Sequence, residues 1–220
     1  MPSSLRPFFA VLVAALLLVP FASAFQSPLS EQAVREAYFL GQRHDDSLGR
    51  ILARCTKFLP PPASGPYVHS IAFLTPFAQL VEHSSQQLNY SAQQAAKDHQ
   101  AEKEIVVLQI EVLLTQSYGA YITKPTSSRS DAPIGIQFRS SSFWKDIKFQ
   151  VFDGGEERAP DDFSGRPTYF CAYKGGCRLT GAVIRLEFPA TAFTSDSATI
   201  DVTPPEGEPV SVDFDLSSLR

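Results

Sequence analysis

The sequence predicts an α+β fold in which an N-terminal helical region is followed by an antiparallel β-sandwich. Three observations support this prediction. Before residue 104 the apolar residues recur every three to four positions, which is typical of helices that pack on one face. After residue 104 they recur at every second position, which is typical of strands with one buried face. The strand-like segments are short and are joined by loops that contain Pro and Gly, which favours antiparallel pairing over a parallel α/β sheet.

The chain begins with a segment, residues 1–24, that has the composition of a secretory signal peptide. Arg6 supplies a positive charge, an apolar stretch covers Phe8–Val19, and Ala22-Ser23-Ala24 has the small residues that precede a signal peptidase cleavage site. The apolar stretch is too short for a transmembrane helix, which needs about 20 residues. We therefore expect a secreted or periplasmic protein that begins at Phe25 after cleavage and has no transmembrane segment.

Residues 25–103 form the predicted helical region, which contains one possible strand at residues 67–74. Hydroxyl side chains that suit the N-cap position precede three of the helices: Ser30, Thr75 and Ser91. A continuous apolar stripe predicts a further helix over residues 46–58. Because Cys55 lies within that stripe, we expect it to be a small buried core residue.

Residues 104–220 form the predicted β-sandwich. The alternating segments end with a strand over residues 210–216, in which every second residue is apolar and the others are Ser or Asp. The remaining strand-like segments are residues 106–114, 134–138, 147–151, 182–188 and 200–202.

The charge of the chain argues against some classes of partner. Its net charge is −4, and removal of the signal peptide takes away one further positive charge. A mildly acidic protein is poorly suited to nucleic acid or to an anionic membrane surface. We therefore expect a protein or glycan partner in the cell envelope or exterior.

The spacing of the three cysteines predicts one disulfide bond. Cys171 and Cys177 flank a segment that contains Gly175-Gly176, and glycines permit the tight turn of a hairpin. In an oxidising compartment the two sulfurs can therefore pair across the turn, which would stabilise the hairpin by about 2 kcal/mol. Cys55 is left as a free thiol.

Acidic residues are concentrated in the loop predicted between residues 153 and 162. The carboxylates of Asp153, Glu156, Asp161 and Asp162 make this loop the best candidate for a hard cation such as Ca²⁺. The spacing does not match an EF-hand loop, and charged residues in such loops are usually only solvated. No cofactor is otherwise indicated.

His44 and Asp45 are the best candidates for a catalytic pair, because a carboxylate can orient and charge an imidazole. The same acidic segment also suits the start of the helix after it. His83 and His99 are too far apart in sequence to define a pair of metal ligands. The usual nucleophile, zinc-protease and phosphate-loop motifs are not found in the sequence, which weakens the case for an enzyme.

Aromatic residues around the predicted disulfide suggest a binding surface. We expect Trp144 and Tyr173 to be accessible, because Lys145 and Lys174 beside them suit a surface. The sequence therefore favours a non-catalytic binding or interaction module that uses Trp144, Tyr173 and Lys174. The alternatives are a secreted hydrolase that uses His44 with a carboxylate, or an envelope assembly factor.

Overall fold

The computed structural model describes residues 24–43, 45–63, 65–115, 120–123, 135–138, 140–171, 173 and 177–219. The predicted signal peptide lies outside the described residues, apart from Ala24. The helices are α1 (Glu31–Gln42), α2 (Asp46–Cys55), α3 (Pro76–Gln86) and α4 (Ala92–Ala101). The strands are β1 (Thr56–Phe58), β2 (Pro66–Leu74), β3 (Ile105–Leu114), β4 (Ala120–Thr123), β5 (Gly135–Phe138), β6 (Lys148–Asp153), β7 (Glu156–Arg158), β8 (Asp162–Cys171), β9 (Cys177–Pro189), β10 (Ser197–Thr203) and β11 (Val210–Asp215).

The strands form two larger antiparallel sheets and one small one. The five-stranded sheet has the order β1-β2-β3-β9-β8, the four-stranded sheet has the order β11-β10-β6-β7, and β4 pairs with β5. The α+β class is therefore confirmed. The helices are not confined to a region of their own, because β2 lies between α2 and α3 in sequence and pairs with β3. No helix within the described ranges is long and apolar enough to cross a membrane.

The helices begin where side-chain oxygens can accept hydrogen bonds from the first turn. The hydroxyl groups of Ser30, Thr75 and Ser91 each accept a bond from the backbone amide three residues later, and Asp45 caps α2. These bonds satisfy amides that have no partner within the helix. The three hydroxyl caps lie at the positions that the sequence predicted.

The helix predicted over residues 46–58 ends earlier, at Cys55, and Thr56–Phe58 forms β1 instead. These residues pair with Ser70–Ala72 of β2, which gives their backbone groups partners in the sheet. The chain must also become extended before Pro60, because a residue that precedes proline avoids the helical conformation. As a result, Cys55 is buried as predicted, whereas the side chain of Phe58 is 69% exposed.

One apolar core contains residues of both larger sheets. The ring of Phe73 on β2 lies 5.7 Å from that of Phe214 on β11, 5.0 Å from that of Phe193 and 6.3 Å from that of Phe25. A smaller core joins α1 to α3 through Ala33, Val34, Ala37, Phe77 and Val81. The two helices approach closely at Gly41, where a Cβ atom would collide with the carbonyl oxygen of Val81.

Candidate functional site

The hairpin formed by β8 and β9 carries Tyr173, one of the binding residues that the sequence predicted. β8 is an edge strand of the five-stranded sheet, and its pairing with β9 continues to Cys171 opposite Cys177. These two cysteines form the predicted disulfide bond, with their Cα atoms 4.0 Å apart. The end of the hairpin is therefore covalently closed.

Thiol counting should distinguish the three cysteines. Burial raises the pKa of the Cys55 thiol to about 11, so little reactive thiolate forms near neutral pH. We expect no thiol to react in the native protein, one to react after denaturation without reductant, and three after reduction. Two or more reactive thiols in denatured, unreduced protein would contradict the disulfide, and rapid reaction of the native protein would contradict the burial of Cys55.

Three aromatic side chains are exposed within five residues at the end of this hairpin. Tyr169 is 51% exposed, Phe170 is 57% exposed and Tyr173 is fully exposed. The guanidinium carbon of Arg178 lies 5.5 Å from the centre of the Phe170 ring, in a cation–π arrangement. Of the other large exposed apolar side chains among the described residues, Phe39 and Leu88 lie on or beside helices, Phe58 lies on β1, and Phe163 lies near the start of β8, away from the end of the hairpin.

A register shift in the β8–β9 ladder precedes the exposed aromatic residues. Thr168 pairs with Gly181, but Tyr169 pairs with Leu179, so no residue of β8 lies directly opposite Thr180 in the ladder. Such a bulge twists the ladder and redirects the side chains beyond it. Tyr169 and Phe170 follow the bulge, so their side chains do not continue the alternation of faces along the earlier part of β8.

The expectation that Trp144 is accessible is wrong, because the residue is buried, with 8% of its surface exposed. The ring lies over Gly165 of β8, where an added Cβ would come within 2.7 Å of the indole. It also packs against Phe163, with ring centres 5.4 Å apart. The indole thus fills the space left by a glycine on an edge strand, and Lys145 lies over the ring at 5.6 Å. Lys174 lies outside the described residues.

The acidic segment predicted as a loop is largely a second hairpin. β6 and β7 pair across Gly154-Gly155, both of which have positive φ angles of 57° and 94°. Glycine suits these angles because it has no Cβ atom. Asp153 ends β6, Glu156 begins β7, and Asp162 begins β8, which pairs with a different strand, β9.

Asp153 is a buried structural carboxylate, with a side chain that accepts four hydrogen bonds. The donors are the amide and hydroxyl of Thr194, the amide of Ser195 and the guanidinium of Arg158, at 3.0 to 3.2 Å. Burial raises the pKa of Asp153, but the hydrogen bonds from Thr194, Ser195 and Arg158 outweigh it, so the pKa is lowered overall.

The four acidic residues proposed as cation ligands differ in their burial and in their contacts. Glu156 is exposed and pairs with Arg158 at 3.0 Å, while Asp161 and Asp162 are exposed beside the start of β8. Within the described part of the chain, no three His, Cys, Asp or Glu side chains are grouped so as to hold a metal ion.

Asp45, one member of the candidate catalytic pair, is the N-cap of α2. Its carboxylate accepts a hydrogen bond of 2.8 Å from the amide of Ser47, and the bonds from Ser47 lower the pKa of this exposed group. His44 lies outside the described residues. The structure therefore assigns Asp45 a capping contact and shows no catalytic geometry for it.

A groove that sequence reasoning missed lies between α3, α4 and the outer face of the five-stranded sheet. It has a volume of about 550 Å³. Its polar lining includes His83, Tyr90, Asp98, His99, Glu104 and Arg185. Tyr90 donates a hydrogen bond of 3.0 Å to Asp98, and burial together with this bond raises the pKa of Tyr90 to about 12. No sequence pattern marks this groove, because its residues are spread over two helices, three strands and the loops beside them.

Glu104 at the edge of this groove ties together three segments. It accepts a hydrogen bond of 2.6 Å from the hydroxyl of Ser27, one from the amide of Leu29, and contacts Nε2 of His99 at 3.1 Å. A serine, a histidine and a glutamate are thus close together, but Ser27 contacts the glutamate rather than the histidine. This order does not activate a serine nucleophile, which needs the histidine as its base.

Comparison with known proteins gives no family for this chain. No protein-family model matches it, and no curated protein matches it significantly in sequence.

Proposed function

We propose that this chain is an exported binding protein that recognises an acidic protein surface through the β8–β9 hairpin. The observation that carries the proposal is the cluster of Tyr169, Phe170 and Tyr173, exposed next to the Cys171–Cys177 disulfide. Large aromatic side chains bury much area and lose little entropy, so they dominate many protein interfaces. A closed hairpin loses less entropy on binding than an open loop.

Export is supported by the N-terminal sequence and by the disulfide. The disulfide fits an oxidising compartment. Phe25, the predicted first residue after cleavage, is 4% exposed and packs on Phe73. The mature chain would therefore begin with a core residue. In this proposal the two larger sheets pack face to face as a β-sandwich and hold the hairpin at one end.

The charge of the hairpin supports an acidic partner. Between residues 163 and 181 the sequence has Arg166, Lys174 and Arg178 and no Asp or Glu, although the chain as a whole is acidic. The same segment has no Asn or Gln. Glycan sites usually combine aromatic rings with several precisely placed polar groups. A protein surface with acidic residues is the better complement, because opposite charges speed association and fix orientation.

The edge of β8 is poorly suited to binding by strand addition. Pro167 lies within the strand and has no amide hydrogen to donate. Asp162 and Arg166 add charged side chains, which are typical of protected edges. Recognition is therefore assigned to side chains at the end of the hairpin.

Binding by hairpin variants tests this function. The double variant Tyr169→Ala/Phe170→Ala should reduce capture of the partner from the exported fraction by about 30-fold or more, because loss of one interface hot spot costs about 2 kcal/mol. The control Phe39→Ala/Leu88→Ala removes similarly exposed apolar side chains elsewhere and should capture normally. Both variants should fold. Equal capture by the two variants would contradict the proposal.

A further inference from the structure

The strongest candidate outside the hairpin is an apolar crevice bounded by both larger sheets. Its volume is about 220 Å³. The apolar lining comes from β6, β8, β9 and the segment before β6: Ile147, Phe149, Val151, Phe163 and Leu186. An engineered apolar cavity of about 150 Å³ is large enough to take up benzene. The crevice can therefore hold one aromatic ring or an aliphatic group of that size.

Two cationic residues line the same crevice. Lys145 extends over the Trp144 ring, and Arg158 pairs with Asp153 at 3.2 Å and with Glu156 at 3.0 Å through one nitrogen, Nη2. The Lys145 ammonium and the Arg158 guanidinium both belong to residues that line the crevice, and their positive charge favours an anionic group there.

We propose that the crevice binds a small amphipathic carboxylate with an apolar part the size of one aromatic ring. The apolar part packs between Phe149, Phe163 and Leu186. The carboxylate accepts a charge-assisted hydrogen bond from the exposed Lys145, next to the positive charge of Arg158. This site is separate from the exposed end of the hairpin and does not depend on the function proposed for it.

The single tryptophan gives a direct measurement of binding. Trp144 is the only Trp in the chain and packs against Phe163 at the crevice. With 3-phenylpropionate as the probe, we expect a saturable change in tryptophan fluorescence and ligand-to-protein NOEs to the methyl groups of Val151 and Leu186. The neutral analogue 3-phenylpropanol should bind about tenfold more weakly, because it cannot make the charge-assisted bond.

Two matched variants distinguish the effect of the Lys145 charge on binding from a general effect of losing a surface charge. Lys145→Gln removes an exposed cation at the crevice and should weaken 3-phenylpropionate binding about tenfold. Lys148→Gln removes an exposed cation on β6 that does not line the crevice, and should leave binding unchanged. No saturable change in the wild-type protein up to about 10 mM probe would overturn the proposal. Equal affinity for the acid and the alcohol, or normal binding by Lys145→Gln, would overturn it as well.

Discussion

Replacing Asp153 with alanine is expected to lower the free energy of unfolding by about 3 to 5 kcal/mol, the usual cost of removing one partner from a buried ion pair. The carboxylate is 2% exposed and accepts bonds from Thr194, Ser195 and Arg158. Without it, two amides and a hydroxyl lose their acceptor, and the guanidinium of Arg158 keeps only the exposed carboxylate of Glu156. Urea denaturation of the two proteins measures the difference.

Glu156→Ala is the matched control, because Glu156 pairs with the same arginine but its side chain is 76% exposed. Exposed ion pairs contribute little, so this variant should lose less than about 1 kcal/mol. If both variants lost a similar amount of unfolding free energy, the burial and hydrogen bonds of Asp153 would not be what stabilises this hairpin.

The same carboxylate predicts how stability depends on pH. The pKa of Asp153 in the folded state lies below its ordinary value of 3.8. Its ionised form therefore stabilises the fold fully above that value, and the contribution is lost as the pH falls through the lower, folded-state pKa. The stability difference between wild type and Asp153→Asn should shrink over this acid range. A difference that grows as the pH falls would contradict the assignment.

A calcium titration checks independently that the Asp153 carboxylate is structural, because a bound cation would have to compete with the hydrogen-bond donors from Thr194, Ser195 and Arg158. We expect the melting temperature in EDTA to remain unchanged in millimolar Ca²⁺. A clear rise would instead show that the acidic segment binds the ion in the native state.

Replacing Phe73 with alanine is expected to cost about 3 to 5 kcal/mol, the range for truncation of a buried phenylalanine. Phe73 is fully buried and contacts rings from the N-terminal segment, from β11 and from the segment after β9. Because these rings belong to one core, the protein should unfold in a single transition that moves to lower urea concentration.

Phe58→Ala is the control for Phe73, since Phe58 lies on β1 of the same sheet and is largely exposed. Its stability should change by less than about 0.5 kcal/mol. Two separate unfolding transitions, with only one affected by Phe73→Ala, would contradict a core shared by both sheets.

Local signals explain how much of the fold the sequence could predict. Helix starts depend on one side chain and the next turn, so Ser30, Thr75 and Ser91 were identifiable. Alternation identified the final strand, β11, because one of its faces is solvated. The end of α2 was not predictable in this way, because Thr56–Phe58 obtains its strand partners from β2, which lies beyond a proline-rich connector.

The residues of the candidate site also fall into two groups: those whose position depends on neighbours in sequence, and those whose position depends on distant residues. The disulfide and the exposed position of Tyr173 result from a short hairpin whose two arms are adjacent in sequence. The burial of Trp144 depends on Gly165, twenty-one positions away, and the contacts of Glu104 depend on Ser27 and His99, which are distant in sequence from each other. Contacts between residues so far apart leave no periodic pattern in the sequence, so the sequence alone does not show that these residues lie together.

Site-specific crosslinking most directly tests the central claim that the β8–β9 hairpin is the recognition surface. A photoreactive benzoylphenylalanine is placed at Tyr173 or, as a control, at Leu88, which is 90% exposed. The proteins are then irradiated in the cells that export them. We predict a discrete protein adduct from position 173 and none from position 88. The same adduct from both positions, or no adduct from position 173, would contradict the proposed function.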